Sequence, residues 1–390
     1  MSTSGWQSFF REALDDADTA SLRRRRLWHT EGDDHQIQMR GGQLLINFGS
    51  NDYVGLRRDP RLAQAVSLGL PTLGVGAGAS PLLGGYSTVL AELEQRLAAW
   101  QGTEAALAFS SGMAMNIGVI AALVGPGDLV LSDQLNHASL IDGCRLSGAE
   151  KRVYPHVDAG AVSELLRRER GRFRRAIVIT ESVFSMDGDI APLEELGTLC
   201  QRYDAGLIVD EAHSSGVFGS TGAGLGEQLD VTANWLAKLG TFSKAIGTCG
   251  GFVAGSHALI DFLVNRCRSY IYSTSIAPPV TTATLAAIAL MPELSDRRMR
   301  LREITERARC ALQQQGWSVP SGSTPIIPVI VGSASRALAI SQQLLGEGIF
   351  VPAIRPPTVP QNAARLRISL SSAHTDPQLD KLLRCFQNAL

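Results

Sequence analysis

The sequence has few lysines and no long apolar run. Of its 36 basic residues only four are lysines, namely Lys151, Lys238, Lys244 and Lys381. No apolar stretch approaches the roughly 20 residues that a transmembrane helix needs, and Ile117–Val124 ends at a Gly-Pro pair. The opening residues carry charges of both signs and no apolar region typical of a signal peptide. We therefore expect lysine chemistry at very few positions and no association with a membrane.

Cysteine is sparse and dispersed. The six cysteines form no C-x-x-C pair and no Cys/His set at zinc spacing, which predicts free thiols, no metal site and a cytoplasmic, reducing environment. Charge is balanced, with 36 Lys plus Arg against 37 Asp plus Glu and a net charge of -1. This balance argues against nucleic acid as the main partner. A hydrophobic content of 45% is enough to bury a core.

The apolar segments predict an α/β fold with a large, mostly parallel sheet. Short, nearly continuous apolar runs alternate with helical patterns, which is typical of strands buried on both faces. The predicted strands are 44–48, 106–109, 129–132, 176–180, 207–209, 251–254, 328–331, 350–354 and 365–370, and the predicted helices are 6–17, 89–100, 161–168, 193–203, 301–315 and 377–390. We expect an N-terminal helix and arm (1–45), a large domain (46–280), a chain break at Pro278-Pro279, and a smaller C-terminal α+β domain (281–390).

Asp210 and His213 lie just after the predicted strand 207–209, in the tetrapeptide Asp-Glu-Ala-His. An acid at the carboxyl end of a buried strand lies where open α/β sheets bind ligands. The same letters occur in a helicase box, but the sequence has no G-x-x-x-x-G-K-[ST] phosphate loop. A helix-capping aspartate and a surface histidine are the structural alternative.

Lys244 has the sequence setting of a Schiff-base lysine. It follows an apolar segment, ends the motif Thr241-Phe242-Ser243-Lys244, and precedes the glycine cluster Gly247–Gly251. Burial and cationic neighbours lower the pKa of a lysine and make its amine nucleophilic. The other three lysines lack this combination of hydroxyl and glycine neighbours, although a solvated surface charge is the alternative for any single lysine.

Three more segments place small or polar residues at strand ends. Phe109–Asn116 leads through small residues into a helix, whose first backbone amides can bind an anion. Asn136–Ser139 places His137 where its ring could stack on a flat ligand or cap a helix. Thr180–Asp189 offers Glu181 and Ser185 beside a turn. Each signal is weak by itself, because all of these residue types also have structural roles.

Together these features are what a pyridoxal phosphate (PLP) site requires. A strand-end aspartate keeps the pyridine nitrogen protonated, so that the ring accepts electrons from a carbanion. A lysine holds the aldehyde as an imine, and a helix start with nearby hydroxyls holds the phosphate.

The motifs resemble those of the α-oxoamine synthases, which are fold-type I PLP-dependent transferases. The resemblance runs almost end to end. It is carried by Asn47–Tyr53, Asn136–Ser139, Val183–Asp189, Asp210–His213, Thr241–Lys244, Tyr272–Ser275 and Ile354–Pro360. The last motif favours the branch of biotin biosynthesis that condenses L-alanine with pimeloyl-CoA or a pimeloyl-carrier protein. The resemblance also implies a homodimer with its sites at the interface.

The resemblance implies roles for individual residues. Lys244 would form the imine, Asp210 would pair with the pyridine nitrogen, His213 would bond the ring hydroxyl, and His137 would stack on the ring. The other implied cofactor contacts are Gly112, Met113, Glu181, Ser185, Thr241 and Ser243, with Thr274 and Ser275 reaching the phosphate of the neighbouring subunit. The implied substrate contacts are Arg24, Asn51, His137, Thr358 and Arg367. Four consecutive arginines, Arg23–Arg26, leave the choice of Arg24 open.

Three positions depart from the family pattern. Met113 stands where relatives often have an aromatic residue, Pro81-Leu82 stand where they often carry His or Arg, and residues 361–364 replace a segment in which glycine is common. The second departure concerns recognition of the acyl donor. The open alternatives are a sister synthase with another amino acid or thioester, an aminotransferase of the same fold, and a non-catalytic protein with a degenerate site.

Overall fold

The computed structural model describes residues 3–31, 35–39 and 41–389. Its strands are β1 His29–Glu31, β2 Gln36–Met39, β3 Leu44–Asn47, β4 Ala105–Phe109, β5 Leu129–Asp133, β6 Glu150–Tyr154, β7 Ala176–Glu181, β8 Gly206–Asp210, β9 Trp235–Thr241, β10 Gly251–Gly255, β11 Ile326–Gly332, β12 Ile349–Phe350, β13 Ala353–Ile354 and β14 Ala364–Ser369. Its helices are α1 Thr3–Thr19, α2 Pro60–Leu73, α3 Thr88–Gln101, α4 Gly112–Leu123, α5 Ala138–Ser147, α6 Ala159–Glu169, α7 Leu193–Arg202, α8 Leu225–Leu229, α9 His257–Arg266, α10 Arg268–Ile271, α11 Pro278–Leu290, α12 Ser295–Gln314, α13 Ala334–Gly346 and α14 Asp376–Gln387.

The chain divides into two compact units. The larger unit contains residues 51–185 and 189–299, and the smaller unit contains residues 1–50, 186–188 and 300–390. The smaller unit therefore holds most of both the predicted N-terminal arm and the predicted C-terminal domain. The three-part division at residues 45 and 280 stays a prediction.

The larger unit is built on a seven-stranded sheet in the order β4-β10-β9-β8-β7-β5-β6. Strands β5 to β9 pair in parallel, whereas β10 runs antiparallel to both of its neighbours. The predicted α/β fold with a mostly parallel sheet is confirmed. Because β4 runs in the same direction as β9, strands β4, β7, β8 and β9 end at the same edge of the sheet.

Both faces of this sheet are buried, which explains why its central strands have continuous apolar sequences. On β7, Ile177 and Ile179 belong to a core that also contains α4 and α5 residues, while Val178 faces the other way and is also fully buried. Successive strand side chains point to opposite faces, so a strand covered on both sides needs an apolar residue at every position.

The smaller unit contains two separate sheets, β1-β2-β3-β12 and β11-β14-β13. The single strand predicted over 350–354 is two strands: β12 pairs in parallel with β3, and β13 pairs antiparallel with β14. Pro352 lies between them, and proline has no N–H to contribute to a ladder. The strand prediction is therefore wrong at its centre.

The proline pair at 278–279 also has a different role from the predicted chain break. These residues form the first turn of α11, where a missing N–H and a fixed φ favour proline. Within the described part of the chain, the structure has no helix that is both long and apolar enough to cross a membrane.

Candidate active site

A cavity of about 290 Å³ opens in the larger unit at the carboxyl edge of the sheet. The predicted site residues in its lining are Gly112, Met113, His137, Glu181, Asp210, Thr241, Ser243 and Lys244. Ser111, Met115, Asn116, Ser139, Ala212 and Gly240 also line it. The structure thus brings together residues that are dispersed over more than a hundred positions of the sequence.

Asp210 is one of two buried acids that line the cavity. It is the last residue of β8 and is buried. Its Oδ1 accepts a hydrogen bond from the backbone N–H of Ala212 at 2.9 Å, and its Oδ2 accepts one from Asn116 Nδ2 at 2.8 Å. These two donors fix the position of the carboxylate in the cavity wall.

Lys244 is the lysine that lines this cavity. It is half-buried in the turn after β9, and its carbonyl accepts the N–H of Gly247 at 2.9 Å. Lys238 lies on β9 itself and is buried elsewhere, with Nζ donating to the carbonyl of Gln101 at 2.8 Å. Lys151 lies on β6 and Lys381 on α14. The position of Lys244 therefore agrees with its predicted role as the nucleophile.

The N-terminus of α4 forms one wall of the cavity. Ser111 caps this helix, since its Oγ accepts the N–H of Ala114 at 3.1 Å. The first amides of a helix have no acceptor within the helix and bind anions. A Cβ atom on Gly251 would lie 2.6 Å from the Cα of Gly112, so β10 passes this turn closely only because residue 251 is glycine. This wall fits a phosphate.

Met113 follows Gly112 in the same wall and is 52% exposed. The departure from an aromatic residue therefore lies in the first turn of α4. The second departure, Pro81-Leu82, lies in a short 3-10 turn over Pro81–Leu83 in which Leu82 and Leu83 are exposed.

His137 and Glu181 contact each other in the lining of the cavity. His137 is the N-cap of α5, and its backbone N–H donates to Glu181 Oε1 at 2.6 Å. Partial burial lowers the pKa of His137; the charge of Asp210 opposes this shift, and the charge of Lys244 adds to it. Burial, with a further contribution from Asp210, raises the pKa of Glu181.

His213 is oriented by a hydrogen-bond chain that the sequence did not predict. Its Nδ1 lies 2.7 Å from the Tyr53 hydroxyl, and that hydroxyl donates to Asn51 Oδ1 at 3.2 Å. The Tyr53 hydroxyl thus links His213 to Asn51 and orients the imidazole ring.

Other predicted site residues lie outside the lining of this cavity. In the larger unit, Ser185 is half-buried, Thr274 is exposed and Ser275 is half-buried, with its N–H donating to the carbonyl of Ala79 at 3.0 Å. Asn51 contacts Tyr53 as described above. The roles assigned to these residues stay predictions.

Two of the substrate residues predicted in the smaller unit, Arg24 and Thr358, contact each other. Arg24 Nη2 donates to Thr358 Oγ1 at 3.2 Å, whereas the neighbouring Arg23 pairs with Asp18 at 2.6 Å. Within the arginine run, this contact favours Arg24. Arg367 is buried on β14. Arg355 donates to the backbone carbonyls of Ser21 and Arg23, just before and within the run.

Sequence reasoning missed Asn116, Ser139 and Tyr53 as site residues. Asn116 lies one helical turn after Gly112, so it shares the face of α4 that begins at the cavity. Ser139 follows His137 by two residues. These spacings were the available signals, but the partners of both side chains are defined only by the fold.

An aspartate, a lysine, a histidine and a helix start around one cavity at the sheet edge define a PLP-dependent enzyme of fold type I. The donors at Asp210 and the glycine-lined helix start fit the two ends of that cofactor.

Comparisons with known proteins agree with this class. The aminotransferase class I and II family model matches residues 44–386. An 8-amino-7-oxononanoate synthase from Anaeromyxobacter dehalogenans is 47% identical over 88% of this chain and 86% of its own length. A solved structure of SPT (serine palmitoyltransferase) with PLP as the internal aldimine also matches. Its TM-score is 0.91, with 31% identity over 99% of this chain and 96% of that one. The 8-amino-7-oxononanoate synthase of Francisella tularensis matches with a TM-score of 0.77 and 28% identity over 88% of this chain and 97% of that one.

The chain belongs to the 8-amino-7-oxononanoate synthases, PLP-dependent acyltransferases within aminotransferase class I and II. The predicted family, fold class and cofactor are thereby confirmed.

Proposed function

We propose that the enzyme condenses L-alanine with the thioester of pimeloyl-CoA or pimeloyl-carrier protein in biotin biosynthesis. The products are 8-amino-7-oxononanoate, CO2 and the free thiol. The observation that carries this proposal is the 47% identity to a synthase of that name over most of both chains, together with an intact set of Asp210, Lys244 and His137 around one cavity.

The residues of the cavity divide the chemistry among them. When bound, PLP supplies an electron sink for the negative charge that develops at the amino acid Cα. Lys244 Nζ removes the Cα proton as a general base, a contribution of typically about 10²–10⁴-fold. Asp210 would hold a proton at the pyridine nitrogen, and His213, which lies outside the cavity lining, would bond the ring hydroxyl. The amides of Gly112 and Met113 would bind the phosphate.

We propose that Arg24 and Thr358 bind a substrate carboxylate. Their side chains contact each other directly, so a carboxylate could accept from a guanidinium and a hydroxyl at one place. Both proposed substrates, L-alanine and the pimeloyl thioester, carry a carboxylate that could bind here.

We also propose a homodimer in which Thr274 and Ser275 serve the cofactor of the other subunit. Neither residue lines the cavity of its own chain. The test mixes two inactive enzymes, Lys244→Ala and the double variant Thr274→Ala/Ser275→Ala. In a hybrid dimer the intact Lys244 is paired with intact hydroxyls from the other chain, so activity should return to about a quarter of wild type after random exchange. No recovery would rule out this arrangement.

The substrates are tested by adding L-alanine, glycine and L-serine separately to the enzyme, with and without pimeloyl-CoA. We expect alanine to change the cofactor absorbance, and the thioester to be consumed only in its presence. A preference for another amino acid would contradict the proposal. Formation of pyridoxamine phosphate without a thioester would indicate an aminotransferase.

A sister synthase is the second candidate function. The structural match to SPT, with a TM-score of 0.91, exceeds the match to the Francisella enzyme, with a TM-score of 0.77. Palmitoyl-CoA with L-serine is therefore the comparison pair in the same assay. Turnover of that pair in preference to alanine and pimeloyl-CoA would favour this candidate.

A further inference from the structure

We propose that Asn116 and Ser139 form a hydrogen-bonded link between Asp210 and His137, and that this link holds the His137 ring in its neutral form with the proton on Nε2. Asn116 and Ser139 are positioning residues in this proposal, because they act through His137 and Asp210.

The link begins at Asp210. Asn116 Nδ2 donates to Asp210 Oδ2 at 2.8 Å and to Ser139 Oγ at 2.9 Å, so both of its hydrogens are used. The carboxylate determines the orientation of the amide, since a reversed amide would direct Oδ1 at a negative oxygen. Asn116 Oδ1 is buried with no hydrogen-bond partner among the described residues. Its side chain is therefore oriented by its two donor bonds alone.

The link ends at His137. Because Ser139 Oγ accepts from Asn116, its own proton is available for His137 Nδ1, which lies 2.7 Å away. The backbone N–H of Ser139 also donates to Nδ1, at 3.2 Å. Two donors aimed at one ring nitrogen exclude a proton on it, so the neutral ring carries its proton on Nε2. The ring is thereby prepared to donate from Nε2.

Charged groups on several elements surround His137. Asp210 on β8, Glu181 at the end of β7 and Asp142 on α5 are acidic, and Lys244 after β9 is basic. These acids would favour a protonated ring if nothing opposed them. Burial, with the charge of Lys244, lowers the pKa of His137, which agrees with a neutral ring; the donors at Nδ1 are a separate, geometric reason for it.

The chemical consequence is that one hydrogen-bonded link orients both Asp210 and His137, two residues predicted to contact the cofactor. Donation from Asn116 keeps Asp210 an acceptor for the pyridine nitrogen proton, and donation from Ser139 keeps His137 a donor at Nε2. A change at either end would be transmitted through one amide and one hydroxyl.

The test is ¹⁵N NMR of the histidine rings in the full-length enzyme, with the cofactor bound and after its removal, with His137 assigned through His137→Gln. In wild type we expect an unprotonated Nδ1 and a protonated Nε2. Ser139→Ala and Asn116→Leu should bind a proton at His137 about threefold to tenfold more tightly, a pKa rise of about 0.5 to 1. Ser139→Thr keeps the hydroxyl and should behave as wild type.

Asn136 provides a matched control. It is 4% exposed, as is Asn116; its Nδ2 also makes two donor bonds, to Ser132 Oγ and the Ile179 carbonyl; and its Oδ1 likewise has no partner among the described residues. Asn136→Leu should leave the His137 signals unchanged. An equal shift in this control, or unchanged signals in a folded Ser139→Ala enzyme, would overturn the proposal. Should Asn116→Leu fail to fold by circular dichroism, the two Ser139 variants decide.

Discussion

Replacing His156 by glutamine should destabilise the enzyme near neutral pH and have little effect in alkali. His156 Nδ1 lies 2.8 Å from Asp133 Oδ1, and its Nε2 lies 2.7 Å from Asp189 Oδ2. Its ring packs edge-on against Phe184 with 4.3 Å between ring centroids. The side chain thus joins the end of β5 to the turn after β7, at the edge of the sheet that carries the cavity.

The magnitude follows from the pKa of His156. Burial by itself would lower it from its ordinary value of 6.5, but the hydrogen-bonded carboxylates of Asp133 and Asp189 raise it to about 10. At about 1.4 kcal/mol per pH unit, that difference corresponds to about 4 to 5 kcal/mol. His156 and Asp189 have side-chain exposures of 20% and 36%, so solvent screening should reduce the contribution to about 2 kcal/mol at pH 7.

The sign of the pH dependence is fixed by the direction of the shift. A folded-state pKa above the unfolded value means that the contribution is complete below about pH 6.5 and disappears as the pH rises through about 10. Urea unfolding of wild type and His156→Gln at pH 6.5, 8 and 10.5 measures it. His257→Gln, at an exposed position, is the control. A loss of stability that is the same at all three pH values would refute the electrostatic reasoning and indicate lost packing.

Three further predictions concern the site. Lys244→Ala should lose covalently held cofactor and at least about 10²–10⁴-fold in kcat, measured by absorbance and steady-state turnover; normal turnover would contradict its role. Gly251→Ala places a Cβ 2.6 Å from the start of α4 and should weaken PLP binding at least tenfold, which is about 1.4 kcal/mol. Fluorescence titration measures this binding. Gly346→Ala is the control, because its added Cβ would have nothing within 4 Å, and it should not weaken PLP binding. Arg24→Ala should raise the KM of a carboxylate substrate about tenfold to a hundredfold in steady-state assays. Arg25, whose side chain is 74% exposed, is the control, and Arg25→Ala should leave this KM unchanged.

The strands that the sequence predicted are those whose apolar runs are uninterrupted, such as β7 and β8. Strand β6 was missed because its sequence is Glu-Lys-Arg-Val-Tyr, and it tolerates these charges as an edge strand of the sheet. Strand β9 was missed because Lys238 interrupts it. That ammonium is buried through a bond to the carbonyl of Gln101, 137 residues away, a contact that no local pattern contains.

The site shows the same division between local and distant information. Asp210 and Glu181 were predicted because they end strands, and Lys244 because of its neighbours in sequence. Asn116 contacts Asp210 across 94 positions, so its bonds arise only when α4 packs beside β8. Hydrogen-bond partners such as these depend on tertiary packing, whereas strand ends and helix starts can be predicted from the residue types of a short segment.

The central claim is a decarboxylative condensation of L-alanine with a pimeloyl thioester at Lys244. The most direct measurement is mass spectrometry of the product formed from pimeloyl-CoA and alanine labelled with ¹³C at either C1 or C2. The proposed reaction predicts 8-amino-7-oxononanoate that retains the C2 label and has lost the C1 label as ¹³CO2. A product that keeps the C1 label, or the absence of this product while PLP is bound, would contradict the claim.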